Sequence, residues 1–482
     1  MCLKLDKKLA LCVFVCGNFA TTSVFSADWQ VTKSLTVSEV YTDNVDLTHD
    51  NKKSEFITTV TPGISVQGSG ARANVSLNGS IEANSLDGEG DAINPRLGAD
   101  ADAELLEDFL YIDASINIIQ NSVDAFRPSG INTLSNTGNT TNTYNYQISP
   151  YITQRYKGIA EVVGRYTYNN QLNSNNNASD SNSQNFELNV NSGDDFQRLT
   201  WGASVNYKDS GSDNTNSELL STDVSLGYRF NRTWSVNSSV GIESNDFEST
   251  RSENDGSQWS LSTIWTPNNR TSLNIGYGDR FFGSVPTLDF SHRSRRSLLT
   301  AGYSRELTDS ATLLSQQSAF QTTDAFGNPI DPITGDPLSL ANSTINITEG
   351  LFINEVFELS YTLTGRRSSV TIGGSHSVQI YEDGRADETL EEYNISVDRR
   401  LSSRLTLDAG YTYSQQERSG VADAFRPSQA LIEAHQYNLG LTRKIGVDSN
   451  LKFTYYFTDS ESDDLANDYQ ENRLQLSVTT KL

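Results

Sequence analysis

From Trp29 to Leu482 the chain is built of segments, each about ten to fourteen residues long, in which apolar and polar side chains alternate. Leu405, Leu407, Ala409, Tyr411 and Tyr413 alternate with Arg404, Thr406, Asp408, Gly410 and Thr412. Val370, Ile372, Gly374, Val378 and Ile380 alternate with Thr371, Ser375, Ser377 and Gln379, and Val224, Leu226, Tyr228 and Phe230 with Asp223, Ser225, Gly227 and Arg229. Successive side chains on a strand point to opposite faces, so this period of two means strands with one apolar and one polar face. No comparable stretch of helical periodicity interrupts them. The expected fold class is all-β.

The links between segments differ in length according to their place. Gly68-Ser69-Gly70, Glu107-Asp108, Lys157-Gly158, Asn231-Arg232-Thr233, Pro267-Asn268-Asn269, Gly365-Arg366-Arg367-Ser368 and Ser402-Ser403 are short. Longer polar links fall between them: Asp43 to Lys53, Val123 to Asn142, Asn173 to Ser181, Asp209 to Ser217, Asp246 to Asp255, Thr323 to Glu349, Glu417 to Leu431 and Glu461 to Tyr469. Short turns at one end and long loops at the other are the layout of an outer-membrane barrel. The expectation is a transmembrane antiparallel up-and-down β-barrel of about 22 strands (20–22), with both termini on the short-turn side and the loops outside. The segments near Asp87 to Pro95 and Phe281 to Phe290 set the uncertainty in that count.

A barrel also accounts for the composition. The hydrophobic fraction is only 36% and the mean hydropathy −0.48, and no apolar run after residue 20 approaches the roughly 18 residues of a spanning helix. A spanning strand needs about 9–11 residues, and only every second one faces lipid. The other half lines a wet lumen, and closure pairs every backbone group. Tyr41, Tyr144, Tyr168, Tyr207, Tyr277, Tyr413 and Tyr455 sit near strand ends, where an interface belt is expected. Leu474, Leu476, Val478, Thr480 and Leu482 share one face of a final strand that ends without the usual aromatic. A net charge of −24 argues against nucleic acid as a partner, which would call for excess Lys and Arg.

Lys4, Lys7 and Lys8, an apolar stretch from Leu9 to Ala20, and Val24-Phe25-Ser26 before Ala27 have the layout of a cleaved secretory signal peptide. Residues 1–26 are expected to be this leader and 27–482 a single barrel domain. Cys2, Cys12, Cys16 and Met1 all lie in the leader, so the remainder has no sulfur for disulfides, thiolate metal sites or a cysteine nucleophile.

The order of several short motifs resembles that of one family. Trp29-Gln30-Val31, Ser38-Glu39-Val40-Tyr41-Thr42-Asp43-Asn44, Ala101-Asp102-Ala103-Glu104-Leu105 and Phe109-Leu110-Tyr111-Ile112-Asp113-Ala114-Ser115 open the series. Ser291-His292-Arg293-Ser294-Arg295-Arg296, Ala301-Gly302-Tyr303-Ser304 and Leu363-Thr364-Gly365-Arg366-Arg367 follow. Together they resemble the PEP-CTERM (exosortase) system-associated outer-membrane β-barrel proteins. The resemblance implies an outer-membrane location in a Gram-negative cell and an association with exopolysaccharide production. It implies no catalytic residues.

Nor does the sequence assemble a catalytic or metal site. His49, His292, His376 and His435 are scattered, with no partner at ligand spacing; His376 shares parity with the lipid-facing set. The acidic runs Asp87-Gly88-Glu89-Gly90-Asp91 and Asp459-Ser460-Glu461-Ser462-Asp463-Asp464 match no calcium loop and read as solvated charge. The hexapeptide Asp124-Ala125-Phe126-Arg127-Pro128-Ser129 recurs at 423–428, too short to define a repeat. The expectation is no enzyme, no cofactor and no metal.

The leading functional expectation is a passive channel or export porin associated with exopolysaccharide. Its polar lumen would be lined, by parity, with Asp113, Glu161, Arg165, Asp223, Arg229, Asp398, Arg400, Arg404 and Asp408. A structural or adhesive surface barrel is the alternative. An energised receptor-transporter ranks behind both, although 22 strands suit one, because the strand pattern starts at Trp29 and leaves no room for a preceding plug. Arg293, Arg295 and Arg296 are expected at the outer rim, pairing with lipopolysaccharide phosphates. Phe326, Ile330, Ile333 and Leu338, in the longest link, are expected to form a constriction. Expected partners are outer-membrane lipid and lipopolysaccharide, with polysaccharide and other envelope export components as further candidates.

Overall fold

The computed structural model describes residues 28–86, 93–128, 130, 134–135, 137–175, 177–317, 322–323, 329–330, 347–419 and 429–482. The leader, the second hexapeptide copy, and Phe326, Ile333 and Leu338 lie outside them; Ile330 belongs to a two-residue ladder with Thr322.

Twenty-two strands form one sheet. They are β1 (Asp28–Thr42), β2 (Glu55–Ser69), β3 (Ala73–Asn84), β4 (Ile93–Leu106), β5 (Leu110–Ser122), β6 (Thr140–Tyr156), β7 (Ala160–Asn173) and β8 (Ser181–Ser192). Next come β9 (Leu199–Ser212), β10 (Asn216–Arg229), β11 (Trp234–Phe247), β12 (Gly256–Asn268), β13 (Thr271–Arg280), β14 (Gly283–Arg293) and β15 (Ser297–Asp309). A short helix, α1 (Ser310–Ser315), precedes β16 (Leu351–Thr364), β17 (Ser368–Tyr381), β18 (Asp387–Arg400) and β19 (Leu405–Ser419). The last are β20 (Gln429–Lys444), β21 (Ser449–Ser462) and β22 (Tyr469–Lys481).

Each strand pairs antiparallel with its sequence neighbours, and β1 also pairs with β22, so the sheet closes. Val37 lies opposite Val60 on one side and Val478 on the other. Closure leaves no edge to meet hydrocarbon, the condition for a β-protein in lipid. The apolar parity points outward: Val224, Val240, Ile242, Leu261, Leu359 and Leu476 are exposed. The polar parity points inward, where Asn117 and Asn145 bond to backbone carbonyls of a segment that folds inside. Aromatic residues mark both ends of the outer band. Trp29, Phe230, Trp234 and Trp265 lie toward the short-turn end, and Phe56, Trp259, Tyr277 and Tyr393 toward the other.

One loop expected to be long turns out to be tight, and a segment left ambiguous in the sequence turns out to hold a hairpin. β9 and β10 keep pairing as far as Gly211 and Asn216, which shortens the expected 209–217 loop to residues 213–215. Phe281 and Phe282 alone join β13 to β14 on the long-loop end, with Gly283 at φ 105° completing the bend. Two phenylalanines are not turn formers, so the sequence hid this hairpin; here Phe281 packs near Phe247, ring centroids 6.1 Å apart.

That hairpin corrects the placement of Arg293, Arg295 and Arg296. They sit at the foot of β14 and in its turn to β15, at the same end as the start of β1 and the end of β22. The expected outer rim, with its lipopolysaccharide contact, is the opposite end of the barrel.

Candidate functional site at the barrel mouth

Two segments fold into the lumen at its long-loop end. The loop between β5 and β6 folds inward and reaches strands far around the circumference. Leu134 packs with Val40, Val45, Ile57 and Leu86, an apolar cluster on the inner face near β1 and β2. Phe126 meets Arg418 of β19, whose guanidinium lies 4.0 Å from the ring centroid. Arg418 also bonds to Glu388 across the β18–β19 ladder at 2.8 and 3.0 Å. The amide of Asn467, between β21 and β22, donates to the Phe126 carbonyl at 3.3 Å. Nearby, Arg473 is fully buried and donates to Glu471 at 2.7 Å, which also accepts from Thr42 at 2.6 Å.

A second segment, 309–317, crosses from β15 toward the opposite wall. The Asp309 side chain accepts from the Thr312 amide and so caps α1, turning the chain inward. The carbonyls of Leu314 and Gln317 then accept from Asn145 of β6 and Asn117 of β5 at 3.3 and 2.5 Å. Lys208 of β9 grips its start, with Nζ 2.6 Å from Asp309 and 2.8 Å from the Thr312 hydroxyl. The returning chain joins it: Ser310 donates to the Thr348 carbonyl at 2.5 Å, and Glu349 accepts from Ser179 and from Asn214. Leu314, Ile347 and Ala178 form a buried core that Val123 flanks, so the two inward segments meet there.

Between these segments and the wall from β7 to β11 lies a cleft with about 780 Å³ of empty space, part of it continuous with solvent. Asn169, Gln171, Asn182, Asn216, Glu248 and Phe247 are among the residues that line it. The buried oxygens of the Asn169, Gln171 and Thr348 side chains have no partner among the described residues. Amides, hydroxyls and carboxylates are the commonest side chains of the lining, and Phe247, Ile347 and Leu351 add apolar surface beside them. On its rim, Arg385 donates to Asp383 and to the Glu349 carbonyl. Burial opposes the charge of Arg385, but the Asp383 hydrogen bond and carboxylate outweigh it and raise its pKa above the ordinary arginine value. Arg251 and Glu382 pair similarly at 2.8 Å, tying the β11–β12 loop to the β17–β18 loop.

The residues expected to line the lumen are spread around its wall and share no site. Arg165 bridges to Asp113 at 2.7 Å, takes Ser149 as a second partner, and stacks 4.0 Å from Tyr151. Glu161 pairs with Arg155 at 3.0 Å, and Asp223 accepts from Ser204 at 2.7 Å. Asp398 and Asp408 are direct cross-strand neighbours. Arg229 and Arg400 end their strands, and Arg404 lies in the exposed turn between β18 and β19, below the strand wall. Of the residues that shape the mouth, Asp309, Glu349 and Arg385 carried no local signal. Inward parity near a strand's outer end was available for Lys208 and Arg418, but the partners lie up to hundreds of residues away.

No family model matches the chain, and no curated protein does. Solved structures match across most of it. The siderophore receptor PirA from Acinetobacter baumannii is 10% identical, with 96% of this chain and 81% of that chain covered and a TM-score of 0.53. The FrpB iron transporter from Neisseria meningitidis is 9% identical, with 94% and 82% covered and a TM-score of 0.52. At such identity the likeness is one of fold: an outer-membrane β-barrel. The expectation of a passive export porin, with a structural barrel next and a receptor-transporter last, is corrected by these comparisons. These two barrels of like fold are a siderophore receptor and an iron transporter.

Proposed function

We propose that this protein is an outer-membrane receptor-transporter that captures a small polar ligand at its outer mouth and admits it by moving the segments that close that mouth. The carrying observation is the inward path of two segments at that mouth. Segment 309–317 crosses the lumen to Asn117 and Asn145, and the β5–β6 loop reaches Arg418. A diffusion porin has no use for a mouth latched by ion pairs and an apolar seam. The unpartnered acceptors of Asn169 and Gln171 supply hydrogen-bonding capacity on the cleft side of the closure. The shared fold of a siderophore receptor and an iron transporter supports the same reading.

The test is uptake by a strain lacking its other iron receptors, with and without this protein, using radiolabelled ferric siderophores and neutral oligosaccharides. Receptor transport predicts saturable accumulation of one ligand class, abolished by a protonophore while surface binding persists. Accumulation that rises linearly with concentration and ignores the protonophore would identify a passive pore.

A further inference from the structure

The short-turn end of the barrel divides into two halves of different charge. On the first half, cations are balanced. Arg72 pairs with Glu107 at 2.8 Å and Arg155 with Glu161 at 3.0 Å, while Asp194 and Asp195 occupy the turn after β8. On the second half, the turns after β10, β12, β14, β16 and β18 each carry arginine: Arg232, Arg270, Arg295 with Arg296, Arg366 with Arg367, and Arg404. Arg443 and Lys444 precede the turn after β20, and Asp448 is the acidic residue within these six links. All of these cations are exposed, and none makes an ion pair with another described residue.

Successive turns on one rim are two strands apart, roughly 10 Å at an inter-strand spacing of about 4.8 Å. That is close to the Debye length of about 10 Å at 0.1 M salt, so neighbouring turns act on a ligand as one continuous field. In a chain of net charge −24, such an arc is a local reversal of sign. Lipid surrounds a barrel on every side and would call for a complete basic ring. A cationic arc on one half, beside a half where acidic residues offset the cations, fits a body that docks on that half alone.

We propose that this arc, on the side with short turns, docks an acidic face or segment of a periplasmic protein. Guanidinium groups are suited to bidentate carboxylate contacts, and long-range attraction would raise the rate of encounter. The inference is independent of which ligand the mouth takes and of whether transport is energised.

The experiment uses the mature protein in phosphatidylcholine nanodiscs and immobilised poly-L-glutamate as the acidic probe. The four-site variant R295E/R296E/R366E/R367E should lose at least tenfold in affinity, and its heat-modifiable gel migration reports whether the barrel has closed. The opposite-side variant K157E/R198E should stay within twofold. If the four-site variant does not fold, the milder R295Q/R296Q should still weaken binding about threefold. Equal losses in the two halves, or no loss from the arc variants, would overturn the proposal. So would a variant that sheds co-purified phosphatidylglycerol while holding poly-L-glutamate as before, since the arc would then be a lipid belt.

Discussion

Arg473 has no exposed surface; it donates to Glu471, two residues away on the same inward face, and to Ser135, and Glu471 also accepts from Thr42. Breaking a buried pair by removing one partner typically costs about 3–5 kcal/mol, because the survivor stays charged without compensation. R473M should therefore lower the unfolding midpoint in urea, and the double variant E471Q/R473M should recover most of the loss. A single variant as stable as the parent would mean that water reaches Glu471. Lys208 makes a different kind of contact, holding Asp309 and Thr312 at the start of the crossing segment. K208M is expected to leave the barrel intact but to produce brief openings in planar-bilayer recordings, where the parent stays closed. His376, puzzling by parity on the lipid side, proves to pair with Glu391 at 3.2 Å beside Tyr393, toward the outer end of the band.

At the scale of elements, the strands were legible and the loop paths were not. Alternation is a local property, written residue by residue, and it marks β17 through Val370 and Ile372 and β19 through Leu405 and Leu407. The count of 22 followed from the same pattern. The Phe281–Phe282 hairpin escaped because its residues carry no turn signature. That one missed reversal sent Arg293, Arg295 and Arg296 to the wrong end. The cleft was invisible for another reason: Asn145 meets the Leu314 carbonyl across 169 positions of sequence, and Phe126 meets Arg418 from the far side of the barrel. The first hexapeptide copy gains meaning here, since its phenylalanine is one of the points at which the β5–β6 loop is pinned. Removing residues 310–350, with a short turn joining Asp309 to Leu351, should raise single-channel conductance and sensitise cells to bulky antibiotics. Unchanged conductance in correctly inserted protein would place the closure in the β5–β6 loop alone.

For the whole molecule, each of the 22 barrel strands has two neighbours and the described residues hold no cysteine, so their cohesion rests on the continuous ladder and on the solvent at each face. Such barrels resist detergent until heated; unboiled samples should run ahead of boiled ones on a mild gel, and identical migration would contradict a closed sheet. The pairing of β1 with β22 also governs how the molecule is born. Val37 must wait for Val478, more than four hundred residues later in synthesis, before its second side is covered. The barrel cannot seal in this register before β22 is made, and a product that stops before Tyr469 would expose two raw borders at once. Quality control in the envelope therefore has a single late event to inspect, and premature termination anywhere upstream should leave material fit only for proteolysis.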